Sequence, residues 1–151
     1  MGALFDILVA LHVACAVVGF GSLALSGVYG FGTGRRRGAR DLEEARRYFA
    51  APGRLEFLIL VVPFIGAAAL IVQPGGRGLA QLWAGLAAAV WLVAAVALIR
   101  VIRPAELRVR EALAAGEVED AARAARRVGW GATVTDLAFV VALGLMVFQP
   151  R

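Results

Sequence analysis

The sequence predicts an all-α, polytopic membrane fold: four transmembrane helices in one antiparallel bundle, forming a single domain over residues 1–151. Three observations lead there. Hydrophobic residues make up 61% of the chain and mean hydropathy is +0.79, against an apolar share of about half in a soluble domain. A chain this short cannot hide that much apolar surface from water. Four stretches, 3–31, 55–73, 79–102 and 128–148, are each long enough to cross a hydrocarbon core, which takes about 20 apolar residues in a helix. The runs are continuous rather than alternating, and backbone in lipid must satisfy its own hydrogen bonds, so helices are predicted and strands are excluded.

The first span starts without a basic leader and is too long for a secretory signal, so it reads as a retained span. A basic connection, residues 32–54, follows with Arg35, Arg36, Arg37, Arg40, Arg46 and Arg47. The second span carries Pro63 at its middle, which predicts a kink and a carbonyl freed near Ile59. Gln73-Pro74-Gly75-Gly76-Arg77-Gly78 is a tight turn to the third span. The last connection, residues 103–127, is broken by Pro104 and Gly116. After Gly116, Glu117, Glu119 and Asp120 open a helical turn that Arg123, Arg126 and Arg127 close. That order complements a helix dipole and predicts a short helix feeding the fourth span.

The net charge of +5 is carried by Arg without any Lys. Positive charge beside span ends stays cytoplasmic. Connections 32–54 and 103–127 are therefore expected inside a bacterial plasma membrane, with the short turn and both termini outside. Arg clusters beside apolar spans point to the lipid bilayer as partner rather than to nucleic acid.

One Cys rules out an intrachain disulfide, and one His leaves little for hydrolytic catalysis. No phosphate-binding loop, nucleotide fingerprint or nucleophile elbow is present. Ionisable groups inside a span are expensive and each needs a reason. Four qualify: Asp6, His12, Glu56 and Asp136. Asp6 and Glu56 lie near span ends and are expected to reach water, Glu56 with Arg54 as a local ion partner. His12, Cys15, Gly19, Ser22 and Ser26 share one helix face. Small residues at that spacing mark helix packing, so His12 is expected to hydrogen-bond a neighbouring helix, and Gly19, Ser22, Ser26 and Gly30 to form a seam, possible also between copies of the chain. The same face can be read as a ligand site: His12, Cys15 and Met146 all fall in the outer half and would suit copper or the iron of haem b. Asp136 can hydrogen-bond as a neutral acid, pair with Arg54 or Arg100, or join Asp6, His12 and Glu56 in a proton or cation path. Trp83 and Trp130 are expected at the interfaces and Trp91 in packing.

Leu11-His12 followed by Gly19-Phe20-Gly21 resembles the opening helix of the DUF2269 family of predicted integral membrane proteins. The basic first connection, the Trp91 helix, the Ala/Glu/Arg segment before the fourth span and the ending Leu145-Met146-Val147-Phe148-Gln149-Pro150 are similar as well. The resemblance covers nearly the whole chain and implies a four-helix membrane protein without an assigned activity. His12 alone is similar to the early His of the copper-resistance CopD group and the HemJ-type protoporphyrinogen oxidases, where it is associated with copper or haem. The HemJ-type pattern also has a Lys, and its absence here argues against that activity. The leading expectation is a non-enzymatic accessory or oligomeric membrane subunit. The alternatives are a haem- or copper-binding protein built on His12 and a proton- or cation-coupled transporter built on Asp136.

Overall fold

Four helical stretches, Ala3–Arg35, Leu55–Val72, Leu82–Ala115 and Val118–Phe148, are long and apolar enough to cross a membrane. The computed structural model describes residues 2–35, 39–50, 55–75 and 78–149, and no strand occurs among them. Arg36, Arg37, Arg54, Arg77 and Arg151 lie outside the described residues, and with them the expected Glu56–Arg54 pair. The elements are α1 (Ala3–Arg35), α2 (Ala39–Ala50), a 3₁₀ turn (Leu55–Phe57) leading into α3 (Leu58–Val72), a second 3₁₀ turn (Gly78–Ala80), α4 (Leu82–Val96), a π-helical turn (Ala97–Ile102), α5 (Arg103–Ala115) and α6 (Val118–Phe148).

Three boundaries differ from the sequence reading. The basic connection 32–54 contains a helix of its own, α2, whose Ala45 and Phe49 are buried while Glu43, Arg46 and Arg47 stay outside. Pro104 does not break the chain. It follows a π turn in which the Arg103 amide reaches Leu98 O, five residues back. Widening the helix by one residue just before the ring relieves its clash with the preceding turn, so α4 and α5 continue as one rod. The helix expected to feed the fourth span is the start of α6 itself, which runs unbroken for 31 residues. Gly116 does end α5 as predicted. It adopts a left-handed φ of 77° while the Glu117 amide closes back on Ala112 O at 2.8 Å, a cap that glycine adopts without steric penalty.

α6 is the central element, packed along α1 on one side and along α4, the π turn and α5 on the other, while α3 packs on α1. Small residues set how closely the axes approach. A Cβ on Gly27 would lie 2.9 Å from the Ala132 Cβ, and one on Gly30 would meet Ala125 O at 2.7 Å and Gly129 N at 2.9 Å. Gly19 faces Ile59 and Leu58 of α3 in the same way. Of the expected packing seam, Gly19 is buried against α3, Gly30 against α6 and Ser26 beside Glu56 and Tyr48, while Ser22 is half-buried.

Two ends differ in character. At the basic end, α2, α5 and the first turns of α6 enclose a core of Phe49, Val109, Leu113, Ala121 and Ala125. Arginines close it by capping the carbonyl-bearing ends of helices other than their own: Arg46 Nη2 donates to Leu113 O on α5 at 2.7 Å, Arg110 Nε to Phe49 O on α2, and Arg126 Nη1 to Gly34 O on α1 at 3.1 Å. Guanidinium groups there meet the last-turn carbonyls and the negative end of the helix dipole together. At the other end α3 and α4 barely touch along their lengths, and a cleft opens between them.

Candidate functional site

The cleft leads to an apolar cavity of about 430 Å³ walled by α1, α3, α4 and α6. Its polar side chains are few. Gln73 and Gln149 lie at the helix ends, and His12 lies deeper on α1. Phe20 of α1 stacks on Phe139 of α6, centroids 4.4 Å apart, at the inner limit of the cavity.

Proline chemistry builds one wall. Pro63 has no amide hydrogen, so the Ile59 carbonyl loses its helical donor. The indole Nε1–H of Trp91 supplies the replacement, reaching Ile59 O at 2.8 Å from α4, and Phe64 meets the Trp91 ring edge-on. The carbonyl freed at Ile59 is thus where the sequence placed it. Trp91 is more than packing: it is the hydrogen bond that ties α4 to α3 across the cleft.

His12 is fixed on the opposite side. Its Nδ1 lies 2.9 Å from Val62 O of α3, the hydrogen bond to a neighbouring helix that the small face of α1 suggested. A carbonyl only accepts, so Nδ1 carries the proton, and in the neutral ring Nε2 is left as a bare acceptor. Nε2 has no hydrogen-bond partner among the described residues, on a side chain that lines the cavity. Gly66 makes the room: a Cβ there would stand 2.8 Å from His12 Cε1 and 2.9 Å from Nδ1.

The other residues singled out in the sequence do not gather here. Met146 lines the cavity with His12, and at similar depth: stepping from Gly27 to Phe20 on α1 matches stepping from Ala132 to Phe139 on α6, and one more such step brings Met146 opposite Val13. Cys15 is half-buried against the core but off the cavity wall. Among the described residues no three His, Cys, Asp or Glu side chains cluster as metal ligands.

Glu56 is a correction of another kind. It does not reach water but is 1% exposed, accepting a hydrogen bond from Ser26 Oγ, which itself lies 2.9 Å from the Tyr48 hydroxyl. Tyr48 also stacks on Tyr29. The serine proton goes to Glu56, so Tyr48 donates to Ser26, and the acid ends a buried hydroxyl chain toward the basic end. Asp6 is exposed. Asp136 is half-buried between Ala132 and Phe139 on the α1 side of α6, off the cavity wall and without an ion pair to Arg100. The four ionisable groups therefore do not line one path.

Trp83 also lines the cavity, with its Nε1–H given to Gln81 Oε1 at 2.9 Å; Trp130 is exposed and edge-on to Phe31. Sequence reasoning missed Gly66 and Val62 as the seat of His12. A glycine one turn after a proline facing a lone histidine is a signal visible only once the α1–α3 pairing is known.

Compared with family models, curated proteins and solved structures, the chain gives no match.

Proposed function

We propose that this chain is a multi-pass protein of the bacterial plasma membrane, an antiparallel bundle that holds a neutral lipophilic molecule in the cavity beside His12. The basic end, with connections 32–54 and 103–127, faces the cytoplasm, and both termini face outward. Support for insertion comes from the outward faces: Val28, Phe64, Ile71 and Val140 are more than half exposed, a surface suited to acyl chains rather than to water. The DUF2269 resemblance accords with such a protein. The observation that carries the binding role is the His12 Nδ1–Val62 O hydrogen bond. It leaves the other ring nitrogen unpaired among the described residues, on a side chain that lines a largely apolar cavity, the arrangement by which a few placed polar groups orient a ligand in an apolar site. The role is binding rather than catalysis, in keeping with an accessory membrane subunit.

Haem b and copper suit the wall less well. No cationic side chain among the described cavity residues would meet haem propionates. Copper would find one imidazole and one thioether, with Cys15 off the wall, fewer donors than protein copper sites commonly use. A proton or cation path through Asp6, His12, Asp136 and Glu56 draws no support from residues that lie on separate faces.

The test is to purify the protein gently from membranes and identify retained molecules by mass spectrometry and ultraviolet–visible spectroscopy. Wild type is expected to retain a lipophile that Ala67→Trp, which fills the cavity, does not. Equal retention by both would sink the reading, and a Soret band on wild type would replace it with haem.

A further inference from the structure

Around His12 the cavity wall has spent its donors, the amide N–H groups of Gln73 and Gln149 lying at the helix ends. Both indole N–H groups that line it are engaged, Trp91 with Ile59 O and Trp83 with Gln81 Oε1. What remains open beside His12 is an acceptor, its own Nε2, which has no partner among the described residues. A buried acceptor costs free energy until a donor reaches it, whereas a ligand carbonyl beside His12 would set acceptor against acceptor. The surroundings of His12 favour a flat ring. Gly66 and Pro63 of α3 present a surface with little side chain, Trp91 is held in place by its own hydrogen bond, and the stacked Phe20–Phe139 pair ends the cavity. Aromatic side chains in these positions can meet a ligand ring by offset stacking or edge-on contact.

We infer that the cavity selects a hydroxyl-bearing aromatic head, a phenol or hydroquinone on an apolar chain, over the corresponding carbonyl form, with the hydroxyl donating to His12 Nε2. This rests on the cavity reading above. No redox step is involved; the site distinguishes the two forms by hydrogen-bond polarity alone.

The experiment titrates the full chain, reconstituted in lipid nanodiscs under anaerobic conditions, with decylhydroquinone, decylquinone, the dimethyl ether of decylhydroquinone, and decanol. Tryptophan fluorescence gives the midpoints, since Trp83 and Trp91 line the cavity. Decylhydroquinone is expected to bind roughly tenfold tighter than the quinone or the ether, the worth of one hydrogen bond to an otherwise unpaired group. His12→Ala should abolish that preference, so that the hydroquinone, the quinone and the ether bind alike to the variant. The wild-type comparison among the four probes stands even if the variant fails to fold. Equal binding of hydroquinone, quinone and ether overturns the inference and leaves the lipophile cavity intact. Decanol matching decylhydroquinone overturns the aromatic head. Saturable binding of none of the four overturns the cavity reading itself.

Discussion

The two ends of the molecule handle polarity in opposite ways. At the basic end, charge closes a packed core: Arg46, Arg110 and Arg126 each reach from one helix to cap the last carbonyls of another. At the cleft end an absence does the work. Pro63 removes one amide hydrogen and Gly66 one side chain, and the gaps they leave are taken by Trp91 and His12. The first arrangement joins helices through surplus donors, the second through a missing donor and missing bulk. What this teaches is that an Arg-rich segment beside apolar spans need not serve orientation alone, since here its guanidinium groups also finish the helices.

The comparison can be broken most severely at the seam both ends share. Gly30→Leu forces a side chain onto the backbone of Ala125 and Gly129, which cannot yield as a flexible side chain would. A loss of about 3 kcal/mol is expected, as for severe overpacking. Denaturant unfolding in micelles checks it, and wild-type stability would mean that α1 and α6 do not approach so closely. Next come the caps. Arg46→Ala and Arg110→Ala should each cost about 1.5–3 kcal/mol, the range for a hydrogen bond involving a charged group. Hydrogen exchange should quicken in α2 and the end of α5, while amides around Pro63 keep their protection; uniform quickening would deny the separation of the two ends.

Trp91→Phe sharpens the contrast from the other side. It strands the Ile59 carbonyl and should cost about 1 kcal/mol. In a Pro63→Ala background, where the helical amide is restored, the same change should cost only its packing term, so a double-mutant cycle reads the coupling directly. Additive effects would show that Trp91 does not compensate the proline. The smallest effect is expected at Gly144, where a Cβ meets nothing within 4 Å. Gly144→Ala should stabilise α6 by about 0.5–1 kcal/mol through the unfolded chain, as alanine does for glycine at a compatible helical site. A loss there would mean that a neighbour occupies that face.

Much of this was legible in the sequence because it is local. Continuous apolar runs give the four long helices, Gly116 ends α5, and Pro63 frees a carbonyl at Ile59 with no knowledge of the fold. The small face of α1 was legible as a packing face, though its partner was not: helical periodicity gives depth and angle within one helix and says nothing of which neighbour occupies the face. For the same reason Glu56 read as an interfacial acid, since its proximity to Ser26 and Tyr48 depends on how α1, α2 and α3 rotate against one another. The α2 helix escaped because its apolar residues are only matched in number by charged ones, six to six, and the burial of Ala45 and Phe49 comes from docking on α5 and α1. Pro104 read as a break because a proline within a helix usually is one; the π turn ahead of it depends on packing against Gly131, where Ile102 sits 2.6 Å from the place of a Cβ.

The sideways opening between α3 and α4 sets the reference state for anything that enters. A molecule arriving from a bilayer trades places with an acyl chain and not with water, so burial of its apolar surface contributes almost nothing to the exchange. Occupancy then follows the mole fraction of the ligand among lipids rather than its concentration in the surrounding buffer. On the binding role proposed above, discrimination falls to the acceptor on His12, and diluting the protein into more lipid should empty the cavity as surely as removing the ligand.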